Sequence, residues 1–257
     1  MSARTVTRPP WANAVDLGNA VVVVDVRSNR LDVLLGDARL TWAALASTGE
    51  QHAAALVAGV PLDRISSLVR YLTGRGLLTA VGTPQPWPAP TPAAASQASW
   101  GTRDSPARLD PSPSAPWTWR ARAAAALALT LIVQHTARRP RRFARVVNLA
   151  GIAGSRARPA TVTEARHAVN AVRRVARYVP ARVACFEESI AAAVTLAIAG
   201  RRATWCHGVA GDPLRFHAWL AVNEQSVEEP PTTSEYTVLL KIGPGHGDRK
   251  GQSWQNR

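Results

Sequence analysis

A chain of 257 residues, 46% of them hydrophobic, can bury one or two cores, which excludes both a disordered polymer and a small disulfide-stapled scaffold. The formal charge of +14 suggests nucleic acid, yet apart from Lys241 and Lys250 all of the basic side chains are Arg, scattered through every segment. Such scatter gives no binding stripe, so no nucleic-acid partner is expected, and a basic balance suits an acidic peptide equally well.

The amino-terminal "MSARTVTRPPWANAV" lacks the apolar core of a signal peptide. Together with the two cysteines, this predicts a cytoplasmic protein in a reducing compartment. "AVVVVDV" and "LDVLL" flank "RSNR" and predict a β-hairpin. Three short helical stretches follow. The third, "PLDRISSLVRYLTGRG", opens at Pro61, puts Leu62, Ile65, Leu68, Val69 and Leu72 on one face, and is stopped by Gly74 and Gly76. "LLTAV" then returns as a strand. Residues 1–82 therefore predict a winged-helix-like module with a β-hairpin and three helices. Its solitary His52 is a surface residue in this reading. The module carries no catalytic constellation and is expected to bind.

Residues 83–116, rich in Pro, Ala and Ser, predict an extended linker, in which Trp87 and Trp100 either dock on a neighbour or stay solvated. Residues 117–257 form the second expected domain. "AAAALALTLIV" from Ala123 is about half a membrane span, so it predicts a buried helix and no membrane partner. The arginines of "ARRPRRFARVV" are expected on a solvated face. "TVTE" at 161–164 is a capping box. The helix it opens sets Ala165, Ala168, Val169, Val172, Val175, Ala176 and Val179 on one side, with Arg166, Arg173, Arg174 and Arg177 opposite, up to Pro180. The next helix runs from Cys185 to Gly200. "ATWCHGVA", "RFHAWLAV" and "YTVLLKI" then predict three strands of an antiparallel meander, making the domain α+β.

Cys185 stands at a helix amino terminus, where unsatisfied N–H groups and the helix dipole favour a thiolate, although Glu187 and Glu188 oppose it. A thiolate nucleophile needs a histidine to accept and return a proton. His217 is presented by a predicted strand, and Glu224, Glu228 and Glu229 all follow within reach as orienting acids. Cys185, Cys206, His207 and His217 also make the inventory of a zinc site. However, Cys206 and His207 are neighbours on one strand and point to opposite faces, so no metal is expected.

"VACFEESIAAAVTLAIAGRRATWCHGVAGDPLRFHAWLAVNEQSVEEP" resembles the transglutaminase-like cysteine peptidases of lasso-peptide biosynthesis, the B proteins or leader peptidases. The resemblance spans roughly residues 120–242, and residues 14–82 resemble the PqqD-like element that binds leader peptides. It implies Cys185 as nucleophile and His217 as general base. The family acid, usually Asp, falls on Glu229 (217 + 12), next to Glu228. It further implies a transglutaminase/papain-like peptidase fold, and a leader strand added near Leu31, Val33 and Leu35 beside Arg64 and Leu68. The implied partners are a lasso precursor and an asparagine-synthetase-like cyclase. ATP belongs to that cyclase and this chain needs no cofactor. Two rival readings use the same features: a transglutaminase acting through the same Cys and His, and a DNA-binding regulator, whose third helix here lacks the Arg and Asn clustering of base readout.

Overall fold

The structure, a computed structural model, describes residues 4–93, 115–137, 141–154, 157–211 and 213–243. Trp100, most of the expected linker and Asp212 of the "GDP" turn lie outside the described residues. The chain divides into two compact units, Met1–Ala93 and Ala94–Arg257.

The first unit runs β1 (Val6–Thr7), β2 (Ala12–Asp16), β3 (Ala20–Asp25), β4 (Arg30–Leu35), α1 (Asp37–Thr48), α2 (Gln51–Ala58), α3 (Leu62–Gly74), β5 (Thr79–Ala80) and β6 (Thr91–Pro92). The expected hairpin is β3–β4. It is the middle of a larger sheet ordered β4-β3-β2-β6, and the expected return strand pairs with β1 only at Thr79 and Ala80. The valines of β3 are buried on both faces, which explains why they form an unbroken apolar run. Strand β4 alternates in the unusual sense: Asp32 and Leu34 turn inward, while Leu31, Val33 and Leu35 are 41%, 44% and 61% exposed. Asp32 can be buried because Tyr71 Oη donates to it at 2.9 Å and Arg75 Nη2 at 2.9 and 3.0 Å, which pins β4 to α3.

The first residues of the expected linker belong to this unit. Trp87 packs edge-on against the buried Trp42, with ring centroids 5.9 Å apart, and its backbone N–H donates to the Ala46 carbonyl at 2.9 Å. Further on, β6 lies parallel to β2. Where Gly49 closes α1 at φ 68°, a side chain would start 2.6 Å from the backbone of Gln85. One docked ring and a two-residue bridge leave no periodicity in a Pro-rich segment, so the sequence reads as linker.

The second unit runs α4 (Trp117–Thr136), α5 (Arg142–Gly154), β7 (Arg158–Pro159), α6 (Val162–Ala176), α7 (Cys185–Ile198), β8 (Arg201–Arg202), β9 (Thr204–Ala210), β10 (Arg215–Val222), β11 (Gln225–Ser226), a 3₁₀ turn (Pro231–Glu235) and β12 (Thr237–Ile242). The capping box opens α6 as expected, Glu164 N–H donating to Thr161 Oγ1 at 3.2 Å and Thr161 N–H to Glu164 Oε2 at 2.9 Å. Helix α7 packs against α4, α5, α6 and β10. Its run of small and aliphatic side chains lets neighbours approach from every side. No helix among the described residues is long and apolar enough to cross a membrane.

The sheet is ordered β11-β10-β9-β12 and is not the expected meander. Strand β11 takes the free edge of β10 at Ala221 and Val222, and β12 pairs with β9 on the far side. The chain leaving β10 must therefore cross back over the sheet, and this return segment carries Glu228 and Glu229.

Candidate active site

Cys185 is the first residue of α7 and half-buried. Ala184 before it is extended and has no side-chain oxygen to cap the first-turn N–H groups. Glu187 supplies the reverse contact: its Oε2 accepts from Ala184 N–H at 2.9 Å and its Oε1 from Gln134 Nε2 at 2.8 Å. One of the two acids expected to oppose the thiolate is thus engaged in fixing the helix start.

His217 lies in the first half of β10. Its Nε2 is 2.7 Å from Glu229 Oε2, and the Cys185 side chain lies near enough to the ring to favour its charged form. Burial pushes the imidazolium towards losing its proton. The hydrogen bonds and charges of Cys185 and Glu229 outweigh burial and raise the pKa to about 9. The ring is therefore charged at neutral pH. It lies between Trp219, stacked with centroids 5.7 Å apart and 16° between planes, and Tyr236 at 5.2 Å. Gly208 makes room for this arrangement, since a Cβ there would sit 2.8 Å from the Trp219 ring. The "WCHG" and "HAW" stretches are thus two sides of one packing requirement.

Of the three candidate acids, only Glu229 reaches the imidazole. Its side chain is 6% exposed, and its second oxygen accepts from Arg173 Nη2 at 2.8 Å. Glu228 has a left-handed backbone, φ 56°, and turns its carboxylate to Arg166 Nε at 2.8 Å and Asn170 Nδ2 at 3.3 Å. Glu224 pairs at the surface with Lys241 at 3.2 Å. Arg173, expected on a solvated face, is instead among the site residues, with its side chain only 14% exposed. The signal available was its position four residues after Val169, at the border of the apolar stripe. Glu188 lies 3.6 Å from Arg173 Nε; burial raises its pKa, and the guanidinium opposes that shift. A cavity of about 20 Å³ beside Cys185, walled by Ala192, Ala218 and Leu220 and bordered by Arg173 and Glu188, has room for one water.

The two other metal candidates separate across the sheet. Cys206 packs with Trp219, Ala221 and Tyr236, and burial pushes its thiol up to about 11. His207 stacks between Trp205 and Phe216, at 6.0 and 5.7 Å. Burial and then the charge of His217 bring its pKa down to about 4. Among the described residues, no three His, Cys, Asp or Glu side chains gather to hold a metal. Cys206→Ser is expected to keep most activity while lowering the melting temperature, because a hydroxyl in an apolar cluster costs about 1–2 kcal/mol. Rate and thermal melting, measured together, check this.

In the first unit, Leu31, Val33 and Leu35 line the outer face of β4, the free edge of its sheet. Leu68 is half-buried and packs against the core. Arg64 is not a free charge: its Nη1 donates to Asp37 Oδ2 at 2.6 Å, clasping α3 to α1.

Residues 125–241 match the family model of the transglutaminase-like superfamily, a segment that contains Cys185, His217 and Glu229. No curated protein and no solved structure matches the chain.

Proposed function

We propose that this chain is a cysteine leader peptidase of lasso-peptide biosynthesis, with Cys185 as nucleophile, His217 as acid and base, and Glu229 orienting the imidazole. The observation that carries the reading is the Glu229 carboxylate held 2.7 Å from His217 Nε2, with Cys185 close enough to the same imidazole to help raise its pKa. Likeness to the transglutaminase-like superfamily over the same residues is compatible with it. Nε2 is held by Glu229, which leaves Nδ1 to face the sulfur. The Cys185 thiolate attacks the scissile carbonyl, and His217 gives its proton to the leaving amine as the C–N bond breaks. Water then adds to the thioester carbon, passing a proton to His217, and the thiolate leaves. Backbone N–H groups at the start of α7, uncapped by Ala184, stabilise the oxyanion.

The first unit, in this reading a PqqD-like, winged-helix-like recognition element, takes the leader as a strand along β4. Among the described residues no strand pairs with the outer side of that edge, and its outward row of Leu31, Val33 and Leu35 offers apolar seats for alternate side chains of an added strand. The precursor is made in the cytoplasm. The released core passes to an asparagine-synthetase-like cyclase, which uses the ATP.

Likeness to the transglutaminase-like superfamily also supports a second reading, acyl transfer to an amine through the same thioester. Incubation with a leader-bearing precursor separates the two by mass. The expected products are leader and core whose masses sum to the precursor plus one water. A crosslinked product without backbone cleavage would overturn the peptidase reading.

A further inference from the structure

Arg173 reaches the site from α6, and its hydrogen bonds run to neither the thiol nor the imidazole. It holds the acid instead. Nη2 donates to Glu229 Oε1 at 2.8 Å and Nη1 to the Glu228 carbonyl at 2.6 Å, so one guanidinium grips both a side chain and the backbone that bears it. Nε, with no hydrogen-bond partner, faces Glu188 at 3.6 Å. One and two turns earlier on the same helix, Asn170 and Arg166 hold the Glu228 carboxylate. The face of α6 at 166, 170 and 173 is thus a jig for the return segment from β10. That segment passes through a non-glycine residue with a left-handed backbone, Glu228.

We infer that Arg173 is a positioning residue that keeps the Glu229 carboxylate against His217, so that the triad is completed by a guanidinium outside it. The inference rests on the peptidase reading for the meaning of the site. A glutamate has one more rotatable bond than an aspartate, and its carboxylate here is 6% exposed. Held at one oxygen only, it would leave the other buried without a partner and would rotate towards whatever donor or water it could find. The planar fork of an arginine fixes Oε1 while Oε2 faces the imidazole. A lysine at 173 can reach one of the two acceptors but not both at once.

The test reads the Cys185–His217 pair directly, using iodoacetamide on the intact protein and NMR titration of His217. The groups facing that imidazole are Cys185 from α7, Glu229 from the return segment and Tyr236 ahead of β12, while His207 on β9, which feels the charge of His217, is uncharged near neutrality. In Arg173→Met, released Glu229 is expected to leave the imidazole. The His217 midpoint then falls from about 9, and Cys185 alkylation at pH 7 slows by about tenfold. Simple loss of a nearby positive charge would instead raise the midpoint, so an unchanged or raised value overturns the inference. Added to Glu229→Gln, Arg173→Met should slow alkylation little further; a full second tenfold loss would mean that the arginine does not act through the acid. Arg173→Lys should fall between wild type and Arg173→Met, and it carries the same comparison if the methionine variant does not fold. Because alkylation needs no peptide, these shifts can occur in a protein that cleaves nothing, in which case the positioning role stands and the peptidase reading fails.

Discussion

Cys185→Ala is expected to lose cleavage by a factor on the order of 10⁵ or more, the scale on which removal of a nucleophile acts elsewhere. Nothing else at the start of α7 can form the acyl intermediate. Ser189, the nearest hydroxyl on the helix, accepts a hydrogen bond at 2.9 Å from the buried Trp205 and is itself buried. Leader affinity should be unchanged, since β4 belongs to a compact unit with its own core. Turnover of the precursor and fluorescence anisotropy of a labelled leader, measured on one preparation, separate the two effects. Residual cleavage within about a hundredfold of wild type would exclude a thiol mechanism, because oxyanion stabilisation and binding alone leave far less.

Glu229→Ala should cost about 10²–10³ in kcat, somewhat below the 10⁴ seen where an aspartate of a serine protease loses tautomer control. Glu228→Ala should stay within a few-fold of wild type, because its carboxylate binds Arg166 and Asn170 rather than the imidazole. The two variants also differ in pH dependence. His217 keeps its proton up to about pH 9 through Cys185 and Glu229 against the pull of burial, so the alkaline limb of the rate profile should fall near that value. Without Glu229, burial gains and the limb moves acidward. The effect on stability has the same origin. A pKa raised on folding adds stability that is complete below the ordinary histidine value of about 6.5. That contribution fades as the pH climbs through about 9. Melting temperatures of wild type and Glu229→Ala should therefore differ most below about pH 6.5, and the difference should narrow as the pH passes about 9. Equal, mild losses from both substitutions would leave His217 without an orienting acid at either position.

Legibility followed periodicity. The start of α6 could be read from a capping box and the end of α7 from a terminal glycine, and His217 from its place in an alternating strand, whereas α6 stops at Ala176, short of the expected Pro180. What could not be read depends on partners distant in sequence. The Arg-rich start of α5 resembles a solvated coil, although Val146, Val147 and Ala150 turn inward. The sheet order is set by a two-residue strand, β11, too short to leave a pattern. Arg173 was sorted with the solvated arginines because helical spacing records which face is apolar and says nothing about which charge meets a carboxylate from a loop 56 residues away. The choice between Glu228 and Glu229 turns on a single left-handed backbone angle, which no composition rule marks in a glutamate.

The central place of α7 has a consequence for the order in which the protein comes apart. A helix enclosed by α4, α5, α6 and β10 exposes little of its length besides its carboxyl end at Ile198. Its amides beyond the first turn can exchange with water only when the neighbouring helices separate from it, which amounts to opening the whole unit. The nucleophile stands in the first turn of this element, so the packed length of α7 behind it anchors its position. The return segment to β12 is held to α6 through side chains of Arg166, Asn170 and Arg173, so it is expected to open before α7 does and to take the acid with it.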